Sequence, residues 1–249
     1  MIRKILPILF ILISLSIGGD VFSSDTDFDH QYKNYGLILN DHVNKGRVDY
    51  GKLKTNSAGL DIVLVEFNGV TKAGFNTWDK QKQLAYLINL YNAATLDLVI
   101  DNYPLGSIKD IGKPWDKKIV NLHGDTISLN QLEHEVIRKN YKEPRIHFAL
   151  VCAAKGCPVL ISDAYTGDKL ESQLEGSTKA FLSASDKNKI DDANQVIVVS
   201  PIFDWFADDF SAKSGSVVAF IAPYYSKNPE DLKSYQIKYT NYDWSLNDK

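Results

Sequence analysis

The sequence predicts an α+β or α/β fold: a single helix-dominated domain around a small central sheet. Three observations lead there. The apolar pattern over residues 78–102 is long, helical in period and apolar nearly all round. Short apolar runs at 145–152 and 196–199 have the length of strands rather than helices. From Asp25 to the end, no Pro/Gly/Ser-rich linker, charge block or internal repeat interrupts the chain, so 25–249 reads as one domain. With 249 residues, 44% of them apolar, the chain can bury one large core without metal or disulfide staples.

The elements follow in order. Arg3 and Lys4 precede an apolar run over 5–17, the length of a signal-peptide core and too short to span a bilayer. Residues 1–23 therefore read as an export signal, cleaved after Ser23, with no membrane span once it is removed and a periplasmic or secreted destination. Tyr32, Tyr35, Ile38, Leu39, His42 and Val43 recur at helical spacing and stop at Lys45 and Gly46, a helix-ending pair. A short extended piece at 48–50 precedes a second helix carrying Leu60, Val63, Leu64 and Phe67. After the long helix, residues 118–127 form a hairpin around Gly124. Ser128 and Gln131 then fit a capping box that starts a helix running to about Asn140. A central strand is expected at 145–152, a helix around Leu170, Leu174 and Phe181, a strand at 196–199, and helices at 202–210 and 217–225.

A formal charge of -3 provides no broad positive field, which argues against nucleic acid as a partner. No glycine-rich phosphate loop is present, so no nucleotide cofactor is expected. A small-molecule or peptide substrate fits better. Oligomeric state is not encoded in any pattern of the chain.

The candidate chemistry centres on Cys152 and Cys157, the only two cysteines. In an exporting, oxidising compartment a C-x4-C loop can close into a disulfide. Alternatively Cys152, where the strand runs out and beside Lys155, is a reactive thiolate. All five histidines precede Cys152, which excludes the unpermuted papain order and leaves His134 or His147 as base. In a strand, His147 and Cys152 would face opposite ways, so a dyad needs a bulge or a strand end between them. Glu133 falls on the buried stripe of its helix, where a carboxylate needs a dedicated partner. Asn89 and Asn92 stand one turn apart on the long buried helix and must also find partners, either a catalytic imidazole or neighbouring backbone. The predicted site is thus Cys152, His147, His134, Glu133 and Asn92. A zinc site from His147, Cys152 and Cys157, with His134 or Glu133 as fourth ligand, is a weaker alternative, because H-x4-C-x4-C is not a zinc-finger spacing.

Residues 145–158 (RIHFALVCAAKGCP) resemble the family catalogued as domain of unknown function 547. Five further segments agree in order: 46–50 (GRVDY), 84–93 (LAYLINLYNA), 127–134 (ISLNQLEH), 201–205 (PIFDW) and 242–247 (YDWSLN). The family is defined by sequence and transfers no reaction. Fusion of some members to glutaredoxin-like modules implies thiol chemistry. A serine at the second cysteine position in plant-like members turns attention to Cys152. The usual N-C-A-S pattern is replaced here by Val151 and Ala154 around Cys152 and Ala153.

Two functions of different class are therefore expected. One is an exported cysteine-dependent hydrolase or acyl transferase with Cys152 as nucleophile. The other is a periplasmic binding or interaction domain whose polar core is structural.

Overall fold

A computed structural model describes residues 28–249; the export signal expected at 1–23 lies outside the described residues. Helix α1, Lys33–His42, leads through a tight antiparallel pair, β1 (Val43–Asn44) and β2 (Arg47–Val48), into α2, Tyr50–Thr55. The extended piece expected at 48–50 thus ends at Val48, because the Asp49 carboxylate caps the next helix by accepting from the Lys52 N–H. Helices α3 (Ala58–Asn68) and α4 (Lys72–Thr77) pack ahead of α5, Lys80–Asn102.

Helix α5 is the centre of the molecule. Asp79 caps its start, and from Gln83 to Ile100 only Asp97 escapes burial. The all-round apolar pattern is explained by packing on several sides, against α2, α3, the hairpin and the helix that follows it. The hairpin forms as expected from β3 (Lys118–Leu122) and β4 (Asp125–Ser128), turning at His123 and Gly124, both with positive φ.

The capping box also forms: the Gln131 amide oxygen accepts from the Ser128 N–H, and the Ser128 hydroxyl accepts from the Gln131 N–H. The helix it starts is a π-helical segment, Gln131–Ile137, continuing into α6, Arg138–Tyr141. Such a wide turn recurs at functional sites, and this one carries Glu133 and His134.

The strand expected at 145–152 is absent; a 3-10 helix, Pro144–Phe148, stands there, followed by a turn. Pro144 presets the helical φ, and the Glu143 carboxylate accepts from the Arg145 N–H while gripping its guanidinium. The Ala149 and Leu150 amides then bond back to the Ile146 carbonyl. Ile146 through Val151 are all buried, so their hydrophobicity reflects enclosure on every side rather than a sheet.

Beyond it lie α7 (Leu170–Leu182), β5 (Lys189–Asp191), β6 (Val196–Val199), α8 (Ile202–Trp205), α9 (Ala207–Ser214), α10 (Val217–Ile221) and β7 (Gln236–Tyr239). The helix expected at 202–210 is broken at Phe206, whose backbone leaves the helical region at φ -120° and ψ 27°, ending α8 and opening α9. The strand expected at 196–199 is present, paired antiparallel with β5 and parallel with β7.

The fold is therefore helix-dominated α+β. Among the described residues the strands form three small sheets, two of two strands and one of three, and a helix rather than a sheet occupies the middle. One hydrophobic cluster surrounds α5; a second, rich in phenylalanine, holds Phe148, Phe203, Phe210 and Phe220. Ile146 belongs to the first and Phe148 to the second, so the 3-10 helix bridges them.

Candidate active site

A cleft of about 190 Å³ opens where the two clusters meet. Glu133, His134, His147, Cys152 and Cys157 all line it; Asn92 does not. Three of the chain's four tryptophans, Trp115, Trp205 and Trp244, line it together with Tyr242.

The cysteine loop is shaped from two sides. From below, Asn92 brackets Leu150: its amide donates to the Ala149 carbonyl and its carbonyl accepts from the Val151 N–H, at 2.9 and 3.0 Å. Asn89 clamps Tyr165 in the same manner. Both asparagines are thus spent on backbone, and Asn92 does not order an imidazole. From above, the C-terminal segment straps the loop through bonds from Lys155 N to Ser245 O, Gly156 N to Asp243 O and Asn247 N to Ala153 O. A side chain at position 156 would lie 2.9 Å from the Asp243 nitrogen, so only glycine fits beneath the strap.

The same strap delivers Tyr242 to the thiol, its hydroxyl 3.2 Å from Cys152 Sγ. Ala153 adopts the left-handed region at φ 59°, and the turn aims the Ala154 N–H at that sulfur. Both cysteines are free thiols: Cys152 is half-buried and Cys157 buried. Hydrogen bonds from the Cys157 thiol, Tyr242 and Ala154 lower the Cys152 pKa despite burial. Burial pushes the Cys157 thiol well up. The nearby cation expected from Lys155 is not among these causes.

The acid–base groups form one chain. Arg138 grips Asp209 with two bonds, Nε to Oδ2 at 2.7 Å and Nη2 to Oδ1 at 2.9 Å. Together with His147 this holds the Asp209 carboxyl well below the usual range, so it is ionised and only accepts. His147 Nε2 lies 2.8 Å from Asp209 Oδ2 and must carry the proton, leaving Nδ1 unprotonated, 3.8 Å from Glu133 Oε1. Burial, with the Phe206 ring stacked 3.7 Å away, lowers the His147 pKa and keeps it neutral.

Glu133 fronts the pair. Burial pushes its pKa up to about 7, offset in part by the Tyr91 hydroxyl 3.3 Å from Oε2 and by Arg138. His134 is differently engaged: its Nδ1 accepts from Arg138 Nη1 at 2.9 Å, because a guanidinium can only donate. With that lone pair occupied, His134 has no basic nitrogen left and is unsuited to be the base.

The thiol is bonded to Tyr242 and to backbone, not to an imidazole. Sequence reasoning missed three participants. Asp209 looks like an ordinary acidic residue in the first turn of a helix; Arg138 looks like a surface residue one turn after His134; Tyr242 was visible only as part of a family-like segment. Among the described residues, no group of three or more His, Cys, Asp and Glu side chains is placed to hold a metal ion. Nor is any of their helices long and apolar enough to cross a membrane.

Fold and cleft together define a helix-dominated α+β protein organised around a cysteine-bearing aromatic cleft. Residues 75–182 match the model of the family described as protein of unknown function, DUF547. The matched segment contains Asn92, Glu133, His134, His147 and both cysteines, while Asp209 and Tyr242 lie beyond it. No curated protein and no solved structure matches the chain.

Proposed function

We propose that the cleft is the active site of a cysteine-dependent hydrolase or acyl transferase acting on a small-molecule or peptide substrate after export. The observation that carries the reading is Glu133: a buried carboxyl with a pKa of about 7, in the same cleft as Cys152 and backed by the His147 lone pair. A group that is half ionised near neutral pH is suited to both taking and returning a proton.

In this scheme Cys152 Sγ attacks the acyl carbon, and the thiol proton passes to the Glu133 carboxylate. Collapse of the tetrahedral adduct breaks the bond to the leaving group, which takes that proton back. The thioester is then cleaved by water or by an acceptor nucleophile; Glu133 takes the nucleophile's proton and returns it to the departing Cys152 sulfur, restoring the thiol and the carboxylate. His147 is a positioning residue here. Its side chain is only 1% exposed against 12% for Glu133, so it acts through the carboxyl rather than on substrate. Asp209 fixes its tautomer, and Arg138 fixes Asp209.

The aromatic lining suits an acyl group carrying a ring or an apolar chain. No lysine or arginine lines the cleft, which disfavours an anionic substrate. The test is incubation with p-nitrophenyl esters of neutral aromatic acids, followed by intact-mass and peptide analysis. Acylation at Cys152 with release of nitrophenol, abolished in Cys152→Ser, supports the scheme. A protein that binds such esters without being acylated supports the binding-domain alternative.

A further inference from the structure

The two thiols are not equivalent, and the asymmetry has a chemistry of its own. Cys157 Sγ accepts from the Cys152 N–H at 2.9 Å. Standard bond lengths then place the Cys152 Cα within about 4.4 Å of that sulfur. The two thiols are close enough for each to shift the other's ionisation. Cys152 is half-buried and lines an open cleft, whereas Cys157 lies beneath it at 5% exposure. An accessible sulfur whose own backbone N–H bonds a buried sulfur is the arrangement of an attacking and a resolving thiol.

We propose that Cys152 and Cys157 form a dithiol–disulfide couple that exchanges electrons with low-molecular-weight disulfides entering the cleft. The Cys152 thiolate attacks one sulfur of RSSR; the S–S bond breaks, and the departing RS⁻ takes a proton from water. The Cys157 thiol then loses its proton and attacks the Cys152 sulfur of the mixed disulfide. The second RS⁻ leaves and takes up that proton. The two cysteines lose two electrons, RSSR gains two, and the products are the intramolecular disulfide and two RSH. In reverse, a small thiol in excess restores the dithiol.

The surroundings fit such a cycle. The strap bonds from Lys155, Gly156 and Ala153 hold the loop backbone independently of either sulfur. The thiolate has its own donors in Tyr242 and Ala154, so it is stabilised before any substrate enters. This activity uses the thiol of the proposed acyl chemistry but needs neither Glu133 nor His147, so the two can fail separately.

The test uses the full chain, reduced and freed of reductant under anaerobic conditions, then mixed with oxidised glutathione and read by intact mass and thiol titration. The wild-type chain is expected to lose both thiols and keep no glutathione. Cys157→Ser is expected to trap one glutathione on Cys152, with an adduct lifetime roughly tenfold or more above that of any wild-type adduct. Cys152→Ser is expected to react far more slowly than either. Retention of both thiols by the wild type, or an adduct as persistent in the wild type as in Cys157→Ser, overturns the proposal. Should Cys157→Ser fold poorly by circular dichroism, Cys157→Ala supplies the comparison. Acylation of Cys152 by a p-nitrophenyl ester in Cys157→Ser reports separately on the acyl chemistry.

Discussion

The hydroxyl of Tyr242 lies 3.2 Å from the sulfur of Cys152, although 90 positions separate the two in the chain. This contact exists only because the C-terminal segment crosses over the cysteine loop, and it gives the thiolate a donor that no local motif supplies. Tyr242→Phe removes the donor and keeps the ring. Cys152 should then become a weaker acid and react with iodoacetamide about tenfold more slowly at neutral pH, one pKa unit being a factor of ten. An unchanged pH–rate curve would remove Tyr242 from the site.

Asn92 is expected to matter for stability rather than for chemistry. Asn92→Ala leaves the Ala149 carbonyl and the Val151 N–H buried without partners. The loss should be about 2–3 kcal/mol in denaturant unfolding. A variant as stable as wild type would show that these bonds do not hold the loop.

Glu133 makes stability depend on pH in a defined direction. Its folded pKa, about 7, lies above the ordinary 4.5, so the folded protein binds the proton more tightly than the unfolded chain. The resulting stability is complete below about pH 4.5 and lost progressively as pH rises to about 7. Glu133→Gln removes that dependence. It should gain up to about 3 kcal/mol relative to wild type on going from pH 4.5 to above pH 7. Equal pH dependence of the two unfolding curves would mean that Glu133 is ionised in both states.

Asp209 works with the opposite sign. Its folded pKa is depressed by His147 and Arg138, so it stabilises the fold above the ordinary carboxylate range and that contribution fades as pH falls below it. Asp209→Asn should cost roughly 2 kcal/mol at neutral pH, since Arg138 loses its counter-charge and one of its two acceptors. No loss on unfolding would show that Arg138 and His147 do not depend on it.

How much of this was legible in the sequence varies with the kind of signal. Helix α5, the hairpin and the Ser128–Gln131 box were readable because periodicity, a turn glycine and a cap are local. The run 145–152 was not, because burial on every side removes the period that separates a strand from a compact turn, and Pro144 at its edge decided the matter. In the site, Glu133 and His147 were conspicuous as polar groups in apolar surroundings. Asp209 and Tyr242 were not, because their importance comes only from tertiary contact. Asn92 was rightly expected to need partners, but the partners are backbone.

The rate at which Cys152 is acylated by a p-nitrophenyl ester, followed against pH in wild type, Glu133→Gln and His147→Gln, tests the proposed chemistry most directly. Wild-type acylation should rise with pH through an inflection near 7, and Glu133→Gln should be slower by about a hundredfold or more, the usual range for loss of a general base. His147→Gln should keep the thiol reactive but move the inflection, as a merely structural residue would not. Acylation of Glu133→Gln at the wild-type rate, with the wild-type pH profile, would contradict the scheme.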